Sequence, residues 1–144
     1  MRALNHRKII QLIEIHETSD FVYLVTEYIH SQTLEKMVKH SKPSETNTKV
    51  IIFSLLKTLA YMASKGILHR NIKPSNILLD DGKRVKVSGF SLATYMNSKK
   101  TNFGSCGTQG YIAPEVLTFD DKNGHQPYDD KCDVFSAGCI FFQL

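Results

Sequence analysis

Ile52, Leu55, Leu56, Leu59, Met62 and Ala63 recur at intervals of three and four residues, a spacing that places one apolar stripe along a long helix. Thr46 or Asn47 can cap its start, and Gly66 suits its exit. This helix must be buried against something, and the flanking sequence supplies short strands. Upstream, Gln11 to His16 alternates apolar and polar residues, and Phe21 to Glu27 is rich in Val, Tyr and Leu. The four polar residues from Glu17 to Asp20 separate them, so the pair reads as an antiparallel hairpin. A short helix is expected over Thr33 to His40, and Ser41 to Asn47 with Pro43 reads as a loop. Downstream, Ile77 to Leu79 and Arg84 to Val87 flank Asp80-Asp81-Gly82-Lys83, a second hairpin with Asp-Gly at its turn. The result is an α+β chain.

The remainder divides into an irregular stretch and a final helix. Ser88 to Gly110 is rich in Ser, Thr, Gly and Lys without periodicity, and loops of that length are usually functional. A short helix begins near Ala113, and Asp120 to Tyr128 is a polar insert. Asp130 to Leu144 is apolar nearly all round, the composition of a buried helix.

Composition narrows the classes. Hydrophobic residues make up 42% and charged residues 22% of 144, an ordinary globular balance. A net charge of +4 suits phosphate ligands or acidic peptides, yet no basic run interleaved with aromatics points to nucleic acid. Cys106, Cys132 and Cys139 are odd in number and widely spaced, which supports neither a disulfide framework nor a zinc site and fits a reduced, intracellular setting. No stretch approaches the ~18–20 apolar residues of a membrane span.

Four short segments carry a resemblance. His69-Arg70-Asn71-Ile72-Lys73-Pro74-Ser75-Asn76 resembles the catalytic loop H-R-D-x-K-P-x-N of protein kinases. Lys86 to Ala93 resembles the segment that holds D-F-G. Cys106 to Glu115 is similar to the end of an activation segment with its A-P-E, and Asp133 to Gly138 to the D-V-W-S-x-G of a central helix. They occur in the family's order and spacing. The chain thus resembles the eukaryotic protein kinase superfamily, of the serine/threonine type and similar to calcium/calmodulin kinases. The resemblance implies a mostly helical large lobe preceded by the last two strands of the small lobe, truncated at both ends. Residues 1–29 would be the end of the small lobe and the hinge, and 30–144 the large lobe as far as the central helix.

The family's site residues transfer position by position. Thr26, Glu27, Ile29 and Leu78 fall at nucleotide-binding positions, Thr26 as gatekeeper, Glu27-Tyr28-Ile29 as hinge and Leu78 as adenine floor or, without a complete upper lobe, as plain core. Lys73 falls at the position that meets the γ-phosphate. Asn71 stands where the family has the Asp that accepts the substrate proton, and a neutral amide has no useful basicity. Gly89 stands where the D-F-G Asp ligates magnesium, leaving Asn76 as a neutral ligand. Arg70 could bind a phosphate on the activation segment, with Thr101 or Ser105 as acceptor, or be satisfied by carbonyls and water. His69 and Phe90 match positions that stack with Leu12 in an internal spine. Asp133 is expected to accept backbone N–H bonds from the catalytic loop, and Glu115 to be a buried carboxylate lacking its usual partner.

These substitutions imply a catalytically inactive kinase fold, a pseudokinase, with a regulatory or protein-interaction role. A protein partner is expected, with weak or absent nucleotide binding, no nucleic acid and no membrane. No cofactor is expected, and ATP with magnesium only if family activity remains. The alternatives are a serine/threonine kinase with residual ATP-dependent phosphotransfer as part of a longer chain, and a truncated frame without folded function.

Overall fold

The computed structural model describes residues 1–80, 84–96, 104–119 and 128–144. The two upstream strands are β1 (Leu12–Glu17) and β2 (Val22–Thr26). They pair antiparallel, with an irregularity in register between Leu12 and Glu14. The Thr18 N–H donates to the Phe21 carbonyl at 2.8 Å and closes the turn. Both faces of this ribbon stay open: Ile13, Phe21, Val22, Tyr23 and Leu24 are all more than half exposed.

A second sheet lies under the site. β3 (Ser31–Thr33), β5 (Ile77–Asp80) and β6 (Val85–Val87) form it in that order, all antiparallel. The expected second hairpin is therefore present, while β3 was hidden in the sequence because three polar residues carry no periodicity. The Asp81-Gly82-Lys83 part of its turn lies outside the described residues. On the outer edge of β6, the Val87 N–H donates to the Lys8 carbonyl and the Ile10 N–H to the Val87 carbonyl. This bridge docks the N-terminal segment on the sheet, and Ile9 is buried there. A two-residue pairing, β4 (Ile67–Leu68) with β7 (Thr94–Tyr95), ties the chain before the site to the chain after it.

Helix α1 (Leu34–His40) is capped by Thr33, whose hydroxyl accepts from the Lys36 N–H at 3.2 Å. Helix α2 (Glu45–Ser64) is the long helix, and it starts earlier than expected. Its cap is Ser44, which accepts from the Asn47 N–H at 3.3 Å; Thr46 and Asn47 lie inside the first turn. Ser44 wins because its extended backbone leaves the side chain aimed back at the open N–H groups. The buried face runs through Ile51, Leu55, Thr58, Leu59 and Met62, one residue off the expected stripe at its start, and Leu56 is exposed. Gly66 follows with φ +67°, a left-handed exit that a side chain disfavours.

Helices α3 (Pro114–Leu117) and α4 (Lys131–Gln143) complete the fold. α4 packs Cys132, Ser136, Ala137 and Ile140 inward, and Ala137 and Ile140 join α2, β5 and β6 in the main core. A smaller cluster gathers Leu68, Ala113, Val116, Tyr128 and Cys132. The expected burial of α4 holds for one side of the helix only. Val134, Phe135, Phe141 and Phe142 are exposed, Phe142 at 93%, because the described elements pack on only one side of the helix. Glu115 is exposed as well, so no buried unpaired carboxylate arises there.

Candidate functional site

The site is built on a loop that α2 and α4 hold from below. After β4 the chain turns through His69 and Arg70 instead of pairing onward, and Arg70 takes φ +63°, unusual for a residue with a side chain. The buried Asp133 carboxylate on α4 pins this turn. Its two oxygens accept the His69 N–H at 2.7 Å and the Arg70 N–H at 2.8 Å, as expected for it. Burial pushes the Asp133 carboxyl up to about 6, against the pull of those two N–H groups and of Arg70. His69 is fully buried. Its Nε2 faces the Ser88 carbonyl at 2.9 Å and its Nδ1 accepts the Asn71 N–H at 3.2 Å. One nitrogen donating and one accepting is the neutral imidazole, and burial holds its pKa down to about 4 despite the Ser88 carbonyl. Phe90 packs on the ring, centroids 4.7 Å apart, as expected for that pair, while Leu12 sits half-buried at the start of β1.

Asn71 is held at three points. Its N–H goes to His69, its carbonyl accepts from the Asn76 side-chain amide at 2.8 Å, and its own Oδ1 accepts from the Thr108 hydroxyl at 2.8 Å. The last bond fastens the chain before α3 to the loop. Lys73 is half-buried at the entry to the 3-10 turn Pro74–Asn76; its carbonyl accepts the Asn76 N–H at 2.9 Å, and its ammonium makes no hydrogen bond or ion pair among the described residues. Asn76 closes the loop: its carbonyl accepts the Ser88 N–H at 2.9 Å and the Ser88 hydroxyl at 3.1 Å.

Gly89 follows with φ +81° and ψ +43°, in the left-handed region. A Cβ built there would lie 2.4–2.5 Å from the Asn76 side-chain amide atoms. The amide of Asn76 therefore stands where a side chain at position 89 would begin. Ser91 sits in the 3-10 turn Phe90–Leu92 without needing glycine's freedom.

The donors at this position do not fit magnesium. The ion favours carboxylate oxygens in near-octahedral array. Residue 89 offers no side chain and Asn76 offers one neutral oxygen, its nitrogen already bound to Asn71. Among the described residues, no group of three or more His, Cys, Asp and Glu is placed to hold a metal.

The expected phosphate ligand Arg70 is committed to protein groups. Its Nε donates to the Leu92 carbonyl at 2.7 Å and its Nη1 to the Tyr128 hydroxyl at 3.1 Å. That hydroxyl also donates to the Gly104 carbonyl at 3.3 Å. Burial raises the Tyr128 phenol to about 12, although Arg70 pulls it down. Tyr128 escaped the sequence reading: it is the last residue of a polar insert, and no local pattern links it to Arg70. Of the two acceptor candidates, Ser105 is exposed and Thr101 lies outside the described residues.

The nucleotide-position candidates come from three segments. Thr26 ends β2 opposite Leu12, and Ile29 is half-buried beyond it. Leu78 occupies the middle of β5, opposite Lys86 of β6. Glu27 reaches the same strand: its carboxylate pairs with the Lys86 ammonium and accepts the Gln11 N–H at 2.8 Å. Burial works to raise the Glu27 carboxyl, but the bonds from Lys86 and Gln11 outweigh it and hold it below the ordinary carboxylate range. Glu27 thus fastens the segment after β2 to β6.

A short ribbon, a tether at Glu27 and a helical lobe that buries a His-Arg-Asn turn on a helix aspartate define a protein-kinase-like domain. The comparisons with known proteins agree. The family model "Protein kinase domain" matches residues 1–144. The serine/threonine-protein kinase cds1 of Schizosaccharomyces pombe is 35% identical over 146 residues, covering all of this chain and 32% of that protein. CBL-interacting protein kinase 15 of Oryza sativa subsp. japonica is 38% identical, over all of this chain and 33% of that protein. The human phosphorylase b kinase gamma catalytic chain, liver/testis isoform, is 34% identical, over 99% of this chain and 36% of its own length. The chain belongs to the eukaryotic protein kinase superfamily, and it spans about a third of the length of these curated relatives.

Proposed function

We propose that this chain is a catalytically inactive kinase fold that acts by binding a protein partner through its large-lobe surface. The observation that carries the reading is the amide of Asn76, which fills the space beside Gly89 where the family's magnesium-binding acid would project. Asn71 adds to it. At the position of the proton acceptor stands an amide already tied to Thr108, and loss of a general base alone costs ~10²–10⁴-fold. Lys73 remains at the phosphate-facing position, with no acidic metal ligand beside it among the described residues. The activation-segment residues Thr101 and Ser105 belong to the same scheme as regulatory positions, and a phosphate there would have to draw Arg70 from its bonds to Leu92 and Tyr128. Residues 1–29 serve as the end of the small lobe and the hinge, with Thr26, Glu27 and Ile29 at its nucleotide positions and Leu78 beneath them, and 30–144 as large lobe.

A second reading, ATP-dependent serine/threonine phosphotransfer within a longer chain, is favoured by the retained Lys73 and by the relatives, which are named as kinases. Thermal melting with ATP, with and without magnesium, separates the two. The inactive reading expects no magnesium-dependent rise in melting temperature. A rise that needs both ATP and magnesium would mean metal-assisted nucleotide binding and would sink it.

A further inference from the structure

The N-terminal segment crosses the outer side of α2 and is fastened there. The Tyr61 hydroxyl accepts the Asn5 N–H at 3.0 Å and donates to the Asn5 carbonyl at 3.1 Å. His6 stacks on the Tyr61 ring, centroids 4.7 Å apart and planes 20° from parallel. The Lys8 ammonium donates to the Ser54 hydroxyl of α2. This strap brings two stretches of one sign together. Residues 1–13 hold Arg2, Arg7 and Lys8, and residues 50–66 hold Lys57 and Lys65, with no Asp or Glu in either. The whole chain has a net charge of +4, so these five cations more than account for the excess.

The cations also lack acids in space. Among the described residues no carboxylate forms an ion pair with Arg7, Lys8, Lys57 or Lys65, whereas Lys39, Lys49, Arg84, Lys86 and Lys131 each have one. Lys57 instead lies over the Phe53 ring, 4.6 Å from its centroid, and Lys65 lies 5.8 Å from that of Tyr61. Burial first, then the charges of Arg7 and Lys57, depress the Lys8 ammonium; burial, Lys8 and Arg7 do the same to His6. Like charges gathered without a counter-charge gain most from an anionic ligand that spans them.

We propose that this face, Arg7 and Lys8 with Lys57 and Lys65, binds an acidic segment of a protein partner. The face offers separated cations, with the exposed Phe53 beside Lys57, a match for carboxylates spaced along a peptide with an apolar residue among them. Nucleic acid fits less well, because Tyr61 is already stacked on His6, so the described face lacks a row of open rings for successive bases. The site gives the partner role proposed above a chemical class and depends on that proposal only for its biological use, since it lies away from the Asn71 loop and needs no nucleotide.

The test is fluorescence anisotropy on the whole chain without ATP, with a labelled short peptide rich in Asp and Glu around a Leu. We expect saturable binding that weakens with salt. Arg7→Glu with Lys57→Glu should weaken it at least about tenfold, since each exposed charge pair lost or reversed multiplies the effect. Lys36→Glu with Lys42→Glu makes the same charge change on the exposed end of α1 and the loop after it, and should leave affinity within about twofold. If the Arg7/Lys57 pair melts early, the milder Arg7→Ala with Lys57→Ala replaces it, with an expected loss of about threefold. Absence of peptide binding, equal losses from the two charge-reversal pairs, or tighter binding to phosphatidylserine vesicles or a uridine oligonucleotide would overturn the proposal. Failure here with no magnesium-dependent ATP stabilisation leaves the inactive reading standing, and the reverse pair of results removes that reading alone.

Discussion

Replacing Gly89 by Ala tests whether the magnesium-ligand position has closed. Two costs add. The first is backbone: φ +81° asks a Cβ-bearing residue to sit in the left-handed region, at ~1–2 kcal/mol. The second is overlap: the new Cβ begins 2.4 Å from Asn76 Cγ, so the amide must swing away and give up its 2.8 Å bond to the Asn71 carbonyl, about 1 kcal/mol. Gly89→Ala should therefore destabilise by ~2–3 kcal/mol. In an Asn76→Ala background the overlap is gone and only the backbone cost remains, so the same substitution should cost about 1 kcal/mol less. Urea unfolding followed by far-ultraviolet circular dichroism measures all four corners of the cycle. Additivity within ~0.5 kcal/mol would refute the claim that Asn76 fills the vacated space. Gly89→Asp meets the same obstacle, so the acid returns to an occupied space unless residue 76 moves too.

Two further outcomes follow from the loop and its supports. His69, ordinarily near 6.5, titrates in the fold at about 4, so its contribution is complete above pH 6.5 and is lost as pH falls toward 4, at ~1.4 kcal/mol per unit. Asp133 works oppositely: raised from 3.8 to about 6, its burial cost applies above pH 6 and is relieved as pH falls. The two offset each other in the native chain, so His69→Gln should unmask Asp133 and gain about 1 kcal/mol between pH 6 and 5; a loss in melts over that range contradicts the assignment. Separately, Ser44→Ala should cost ~1 kcal/mol in urea unfolding while Thr46→Ala costs less than half of that, and equal effects would mean the cap is misassigned.

Much of this fold was legible in the sequence because its signals are local. Apolar spacing located α2, alternation located β1 and β2, and Asp-Gly located the β5–β6 hairpin. The motif residues His69 to Asn76 and Asp133 identified a kinase-like lobe, and the absence of acids at 71 and 89 was plain from residue identity. The elements missed were those without periodicity, β3, β4 and β7, each two or three residues long and held only by a partner strand. The cap went to Ser44 over Thr46 because a cap depends on backbone geometry at one residue.

What the tertiary structure alone decided is how the vacancies are filled. Residue identity says that Gly89 lacks a carboxylate; only the packed loop shows the Asn76 amide in its place. Likewise Arg70 reads as a phosphate ligand by position, yet folding delivers the Tyr128 hydroxyl to it across 58 residues of sequence. The same holds for the basic face, where Lys8 and Lys57 lie far apart in the chain and come near each other because Ile9 docks on β6 and Tyr61 grips Asn5. Secondary structure and motif identity depend on neighbours along the chain. Which side chain occupies a space left by another depends on long-range packing.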